Sequence, residues 1–133
     1  MRRRVLKWHE DAVADFIAML RYSNKVFGRG VAKEFRATVL HNVELLRTHP
    51  NLGRKDMFLT GNTTLEYRTL LVYTHVKLVY TVHVDYIYIH LLWDVRQEEK
   101  RLFKLIDRRY KSLGSEDINE LNEPAMEYGG KER

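Results

Sequence analysis

Cysteine is absent from the 133-residue chain, so no disulfide framework and no thiolate metal site can form. That usage suits a reducing cytoplasm, which is the expected location. Serine is scarce: Ser23, Ser112 and Ser115 are the full set, and none stands in a nucleophile elbow. The six histidines show neither His-x-His nor HExxH spacing, so no metal site is expected, and no cofactor. Glycine forms no phosphate loop. Gly28-Arg29-Gly30 is too short and lacks the lysine and hydroxyl that such a loop needs, so it reads as a turn. Paired carboxylates are missing from the strand-like runs, where Asp85 and Asp94 read as turn or strand-end residues. Met1-Arg2-Arg3-Arg4 is basic, but Val5-Leu6 is cut short by Lys7, so no apolar leader core is expected. The longest strand-like run carries Lys, His and Asp, which excludes a membrane span there. There are no internal repeats.

Charge of one sign is in excess. The net charge is +5, from 23 basic and 18 acidic residues. Residues 114–133 hold six acids and two bases, a net of −4, which leaves +9 for residues 1–113. A basic body with an acidic end favours a polyanionic or acidic partner. The expected division is a single domain over 1–113 followed by a flexible acidic tail over 114–133, low in apolar content. The opposite charges also suggest that the tail covers the cationic face and weakens polyanion binding.

Apolar patterning supplies the fold. Leu65–Tyr73, Val76–Val84 and Tyr86–Asp94 are rich in β-branched and aromatic residues with short polar breaks, as in consecutive antiparallel strands. In the second run Leu78, Tyr80 and Val82 share one side and Lys77, Val79, Thr81 and His83 the other. In the third, alternation groups Ile87, Ile89, Leu91 and Trp93 against Tyr86, Tyr88, His90 and Leu92. One apolar face is expected to pack on helices. The other is expected to carry Arg68, Lys77, Thr81, Tyr88 and His90 and to face water, as antiparallel sheets often do.

Val5–Trp8 reads as an edge strand. Val13, Phe16, Ile17 and Leu20 give a helical stripe within Ala12–Phe27, ended by Gly28. Ala32, Phe35, Val39, Val43 and Leu46 give another within Val31–Thr48, ended by His49-Pro50. The short link makes the two helices an antiparallel hairpin. Asn51–Thr64 reads as a polar loop bearing the basic pair Arg54-Lys55. Gln97–Leu113 reads as a last helix with Leu102, Phe103, Ile106, Tyr110 and Leu113 on its stripe. Trp8 and Trp93 are expected in the core.

One constellation of residues has chemistry to offer. Arg68, Lys77, His90 and Arg96 are candidates to act on a phosphodiester: cations stabilise charge building on phosphorus and an imidazole shuttles a proton. RNA brings its own 2′-hydroxyl nucleophile, so no metal is required. Tyr88 is a candidate to stack on a base, with Arg54 and Lys55 as further substrate-binding candidates.

Trp8 with His9-Glu10-Asp11-Ala12, Leu45-Leu46 with Pro50-Asn51-Leu52-Gly53, Glu66-Tyr67-Arg68, Lys77-Leu78-Val79-Tyr80 and Trp93-Asp94-Val95-Arg96-Gln97 follow one another in order. In this the chain resembles the RelE/ParE superfamily of type II toxin–antitoxin toxins. The resemblance implies an α+β fold of order β-α-α-β-β-β-α: an N-terminal strand, an antiparallel helix hairpin on a mainly antiparallel four-stranded sheet, and a C-terminal helix. It implies a growth inhibitor neutralised by a cognate antitoxin, an acidic or amphipathic segment of which packs along the helices and sheet edge. RelE-like members cut ribosome-bound mRNA without a metal, using basic sheet residues that match Arg68, Lys77 and Arg96. ParE-like members poison DNA gyrase. The position of the RelE catalytic tyrosine falls at Phe103, which has no hydroxyl. The long hairpin and the retained last helix are nearer to ParE. A gyrase inhibitor is therefore the first expectation, with an mRNA endoribonuclease and a member that only binds its antitoxin as alternatives.

Overall fold

The computed structural model describes residues 3–61, 65–96 and 99–112. Its elements are β1 (Val5–Trp8), α1 (Glu10–Phe27), α2 (Arg29–Leu45), β2 (Arg54–Lys55), α3 (Met57–Thr60), β3 (Arg68–Tyr73), β4 (Val76–Val82), β5 (Tyr86–Asp94) and α4 (Glu99–Ser112). The sheet runs β1-β5-β4-β3-β2, with β1 parallel to β5 and the other pairs antiparallel. The expected elements follow in the expected order, with β2 and the short α3 added within the expected Asn51–Thr64 loop. The sheet has five strands rather than four, because Arg54–Lys55 of the expected loop pairs with Arg68–Thr69. The acidic residues 114–133, the Asn62-Thr63-Thr64 stretch and the side chain of Phe103 lie outside what is described.

The helix hairpin turns on one residue. Gly28 has φ +97, ends α1 and precedes α2 directly, so Arg29 and Gly30 are already helical. A side chain there would be strained, since positive φ suits only glycine at no cost. His9 caps α1 by accepting the Asp11 amide at Nδ1, 2.9 Å away. Glu10 and Asp11 then sit in the first turn, where the helix dipole favours acids.

Two apolar clusters fill the two sides of the sheet. Trp8, Phe16, Phe35, Val39, Leu78 and Ile87 belong to the first, between the sheet and the α1–α2 hairpin. The second holds Tyr67, Val79, Leu91, Trp93, Leu102 and Ile106. Its presence corrects the expected solvated face: α4 covers that side with its Leu102–Ile106 stripe. Both tryptophans are buried, as expected.

The alternation of β5 is also corrected. Val79 pairs with Leu91 and Tyr80 with Ile89, so His90 is one extra residue in β5. Such a bulge swaps the side on which later residues fall. Leu92 therefore joins Ile87 and Ile89 on the hairpin side, and Leu91 and Trp93 join the α4 side.

The motif Pro50–Gly53 is held by one phenol. The Tyr80 hydroxyl donates to the Pro50 carbonyl and accepts the Gly53 amide, both at 2.8 Å. A Cβ on Gly53 would lie 2.6 Å from the Thr69 carbonyl oxygen, so glycine is required for this approach. The latch seats β2 at the sheet edge.

Candidate functional site

The five cations singled out from sequence divide between two faces, and ion pairing takes up four of them. Arg68 pairs with Tyr80 in register, which places it on the hairpin side and not on the expected binding face. Its Nη1 donates to the Gly53 carbonyl at 2.8 Å and its Nη2 meets Glu66 at 3.3 Å. Glu66 also receives Lys55 at 3.9 Å. Lys77 lies on the α4 side beside Trp93, its side chain 15% exposed, with Nζ 3.9 Å from Asp56. Asp56 in turn caps α3 by accepting the Leu59 amide at 3.0 Å. Arg96 is gripped twice by Asp94, at 2.9 and 2.7 Å, and its own amide donates to the same carboxylate. Those hydrogen bonds hold the Asp94 carboxyl down to about 2. Arg54 is exposed on the two-residue edge strand.

His90 is 6% exposed. Its Nε2 lies 3.0 Å from Thr81 Oγ1, and its ring sits edge-on to Tyr67 and Tyr88 at 5.0 and 4.7 Å. Tyr88 is buried as well, so it offers no open face to a base. Thr81 Oγ1 also meets His83 Nε2 at 2.8 Å. His83 stacks on Tyr86 at 4.3 Å, and Lys7 Nζ lies 4.5 Å above the same ring. Burial, and then the Lys7 ammonium, push the His83 pKa below its ordinary value. Lys7, His83 and Tyr86 are not among the site candidates read from the sequence, although alternation places Thr81 and His83 on one side of the Val76–Val84 run. The stack forms across the β4–β5 turn, and Lys7 reaches it only through the pairing of β1 with β5, which spacing along the chain does not show.

The structure thus brings His90, Tyr88 and Thr81 together and leaves Arg68, Lys77 and Arg96 at separate places. Among the described residues no three metal-ligating side chains converge. No described helix is long and apolar enough to cross a membrane.

A second concentration of charge lies on the hairpin. From Phe16 to Lys33 the sequence has no acid and four cations, Arg21, Lys25, Arg29 and Lys33. A cleft of about 710 Å³ runs between α1 and α2 over Ile17, Leu20 and Ala32, walled by Arg21, Arg29, Lys33 and Arg36.

Comparison with known proteins agrees with this architecture. The chain matches the family model described as the ParE toxin of the type II toxin–antitoxin system parDE over residues 6–100. It is similar in structure to a chain of the chromosomal ParDE toxin–antitoxin system from P. aeruginosa, with a TM-score of 0.58 and 21% identity over 70% of this chain and 97% of that one. No curated protein matches it. With the family model spanning most of its length, the chain belongs to the ParE toxin family of type II toxin–antitoxin systems.

Proposed function

We propose that this chain is the growth-inhibiting half of a toxin–antitoxin pair and acts as a non-nucleolytic inhibitor, with DNA gyrase as its target and the cytoplasm as its location. One observation carries the choice against an mRNA endoribonuclease: the cations that phosphodiester cleavage would need are apart and engaged. Arg68 faces the hairpin and pairs with Glu66, Lys77 is held by Asp56, and Arg96 is clamped by Asp94. Cleavage needs such groups converging on one developing charge. Phe103 adds to the case, since its residue type supplies no hydroxyl at the family's catalytic tyrosine position.

The antitoxin in this reading is a protein whose acidic or amphipathic segment lies along the helices and the sheet edge. Purified toxin, freed of antitoxin, is to be added to gyrase with relaxed plasmid. Inhibited supercoiling or trapped cleavage complexes, reversed by the product of the adjoining gene, is the expected result. Unimpaired supercoiling at stoichiometric toxin would remove the gyrase assignment. Failure of the adjoining gene product to co-purify would remove the pairing.

A further inference from the structure

The hairpin cleft carries a concentration of cations that the inhibitor reading leaves unassigned. Arg29, Lys33 and Arg36 recur at i, i+4 and i+7 on α2, so they form one wall with steps of about 6 and 4.5 Å along the axis. Arg21 faces them from α1. Arg21, Arg29 and Lys33 are exposed, and none of them enters an ion pair among the described residues. The small, buried Ala32 keeps the floor between the helices low.

The polar lining is almost wholly of hydrogen-bond donors. Arginine and lysine have no acceptor, and Asn24 supplies the one amide. A phosphodiester backbone is a string of acceptors, which fits such a wall. An extended polypeptide backbone brings as many donors as acceptors and would leave its N–H groups without partners here. Three of the four cations are arginines, whose planar forks match phosphate oxygens in pairs.

From this geometry we infer that the α1–α2 cleft binds the phosphate backbone of nucleic acid, through Arg21, Arg29, Lys33 and Arg36. The inference goes beyond growth inhibition and stands whether or not gyrase is the target.

Fluorescence anisotropy of a short labelled DNA duplex with the full-length chain tests it. The binding constant is to be measured from about 50 to 200 mM salt, where neutralising four phosphates gives a log–log slope of about −3.6. Arg29→Gln with Lys33→Gln removes two contacts, so the slope is expected to fall to about −1.8 and the low-salt affinity at least tenfold. Both positions are exposed on a helix, and an unchanged circular dichroism melt identifies the loss as one of binding. Arg96→Gln, in which the lost charge is already paired with Asp94, is expected to leave affinity within twofold.

No binding at low salt would overturn the proposal. So would a slope that the double variant leaves intact. Full displacement of the duplex by millimolar inorganic phosphate would make this a small-anion site instead. Equal affinity for an acidic peptide, with the same loss in the double variant, would make it a protein-docking groove.

Discussion

The sheet and the helix hairpin are both rich in cations, and they hold them in opposite ways. On the sheet the carboxylates of Glu66, Asp56 and Asp94 each engage at least one cation, and the Lys77–Asp56 pair is nearly out of solvent. On the hairpin, the segment from Phe16 to Lys33 has four cations and no acid. The difference teaches that a cation's position on a strand is weak evidence of chemistry. What separates the two regions is whether a carboxylate has been supplied by the same fold. Sheet charge here fastens loops and strand ends together, while Arg21, Arg29 and Lys33 of the hairpin are exposed and enter no ion pair among the described residues.

Substitution should break this comparison most visibly at Lys77. Replacing it with Ala removes the cation beside the Asp56 carboxylate, whose side chain is 10% exposed in the intact protein. A loss of about 1–3 kcal/mol is expected in urea unfolding, as for a partly buried group that loses its partner. Lys33→Ala, the matching change on the hairpin, should stay within about 0.5 kcal/mol. Equal losses would erase the distinction between the two regions.

The Tyr80 latch gives the next effect. Tyr80→Phe leaves the Gly53 amide and the Pro50 carbonyl unpaired. Each buried unsatisfied group costs about 1–3 kcal/mol, so destabilisation of that order is expected, together with faster amide exchange at Gly53. Unchanged exchange there would mean that the phenol does not seat β2.

A smaller effect is expected from pH. The folded-state pKa of His83 is lowered from 6.5 by burial and by Lys7, so the folded protein binds fewer protons than the unfolded chain. The contribution is present above about 6.5 and is lost as pH falls below it. Melts at pH 7.5 and 5.5 should therefore separate more for the wild type than for His83→Gln. Equal separation would place the sensitivity elsewhere.

The smallest expected effect concerns the acidic residues 114–133. If they screen the hairpin, their deletion should tighten duplex binding at low salt and leave it unchanged at high salt. Affinity unaltered at both would remove that role.

These comparisons also mark how far the sequence could be read. The α1 stripe through Val13, Phe16 and Leu20 and the β4 alternation through Leu78, Tyr80 and Val82 are local periodicities, and they foretold the faces that meet between hairpin and sheet but not the cover that α4 gives the opposite face. The bulge at His90 has no local signal, so Leu91 and Trp93 fell on the wrong side. Arg68 was misplaced because its face depends on pairing with Tyr80, twelve residues away in the chain. The Arg54–Lys55 strand is legible only once Arg68 is known to be its partner. Of the ion pairs that disarm the candidate site, Arg68–Glu66 and Arg96–Asp94 join residues two apart, while Lys77–Asp56 joins separate elements. Spacing along the chain carries no record of that last pair.

The most direct test is to map mRNA 5′ ends in a translating ribosome system with and without the purified, antitoxin-free chain. Because Arg68, Lys77 and Arg96 are apart and paired, the account predicts intact mRNA. New codon-phased ends that vanish in Arg68→Ala and Arg96→Ala would contradict it, and would show that the sheet cations leave their carboxylates to converge on RNA.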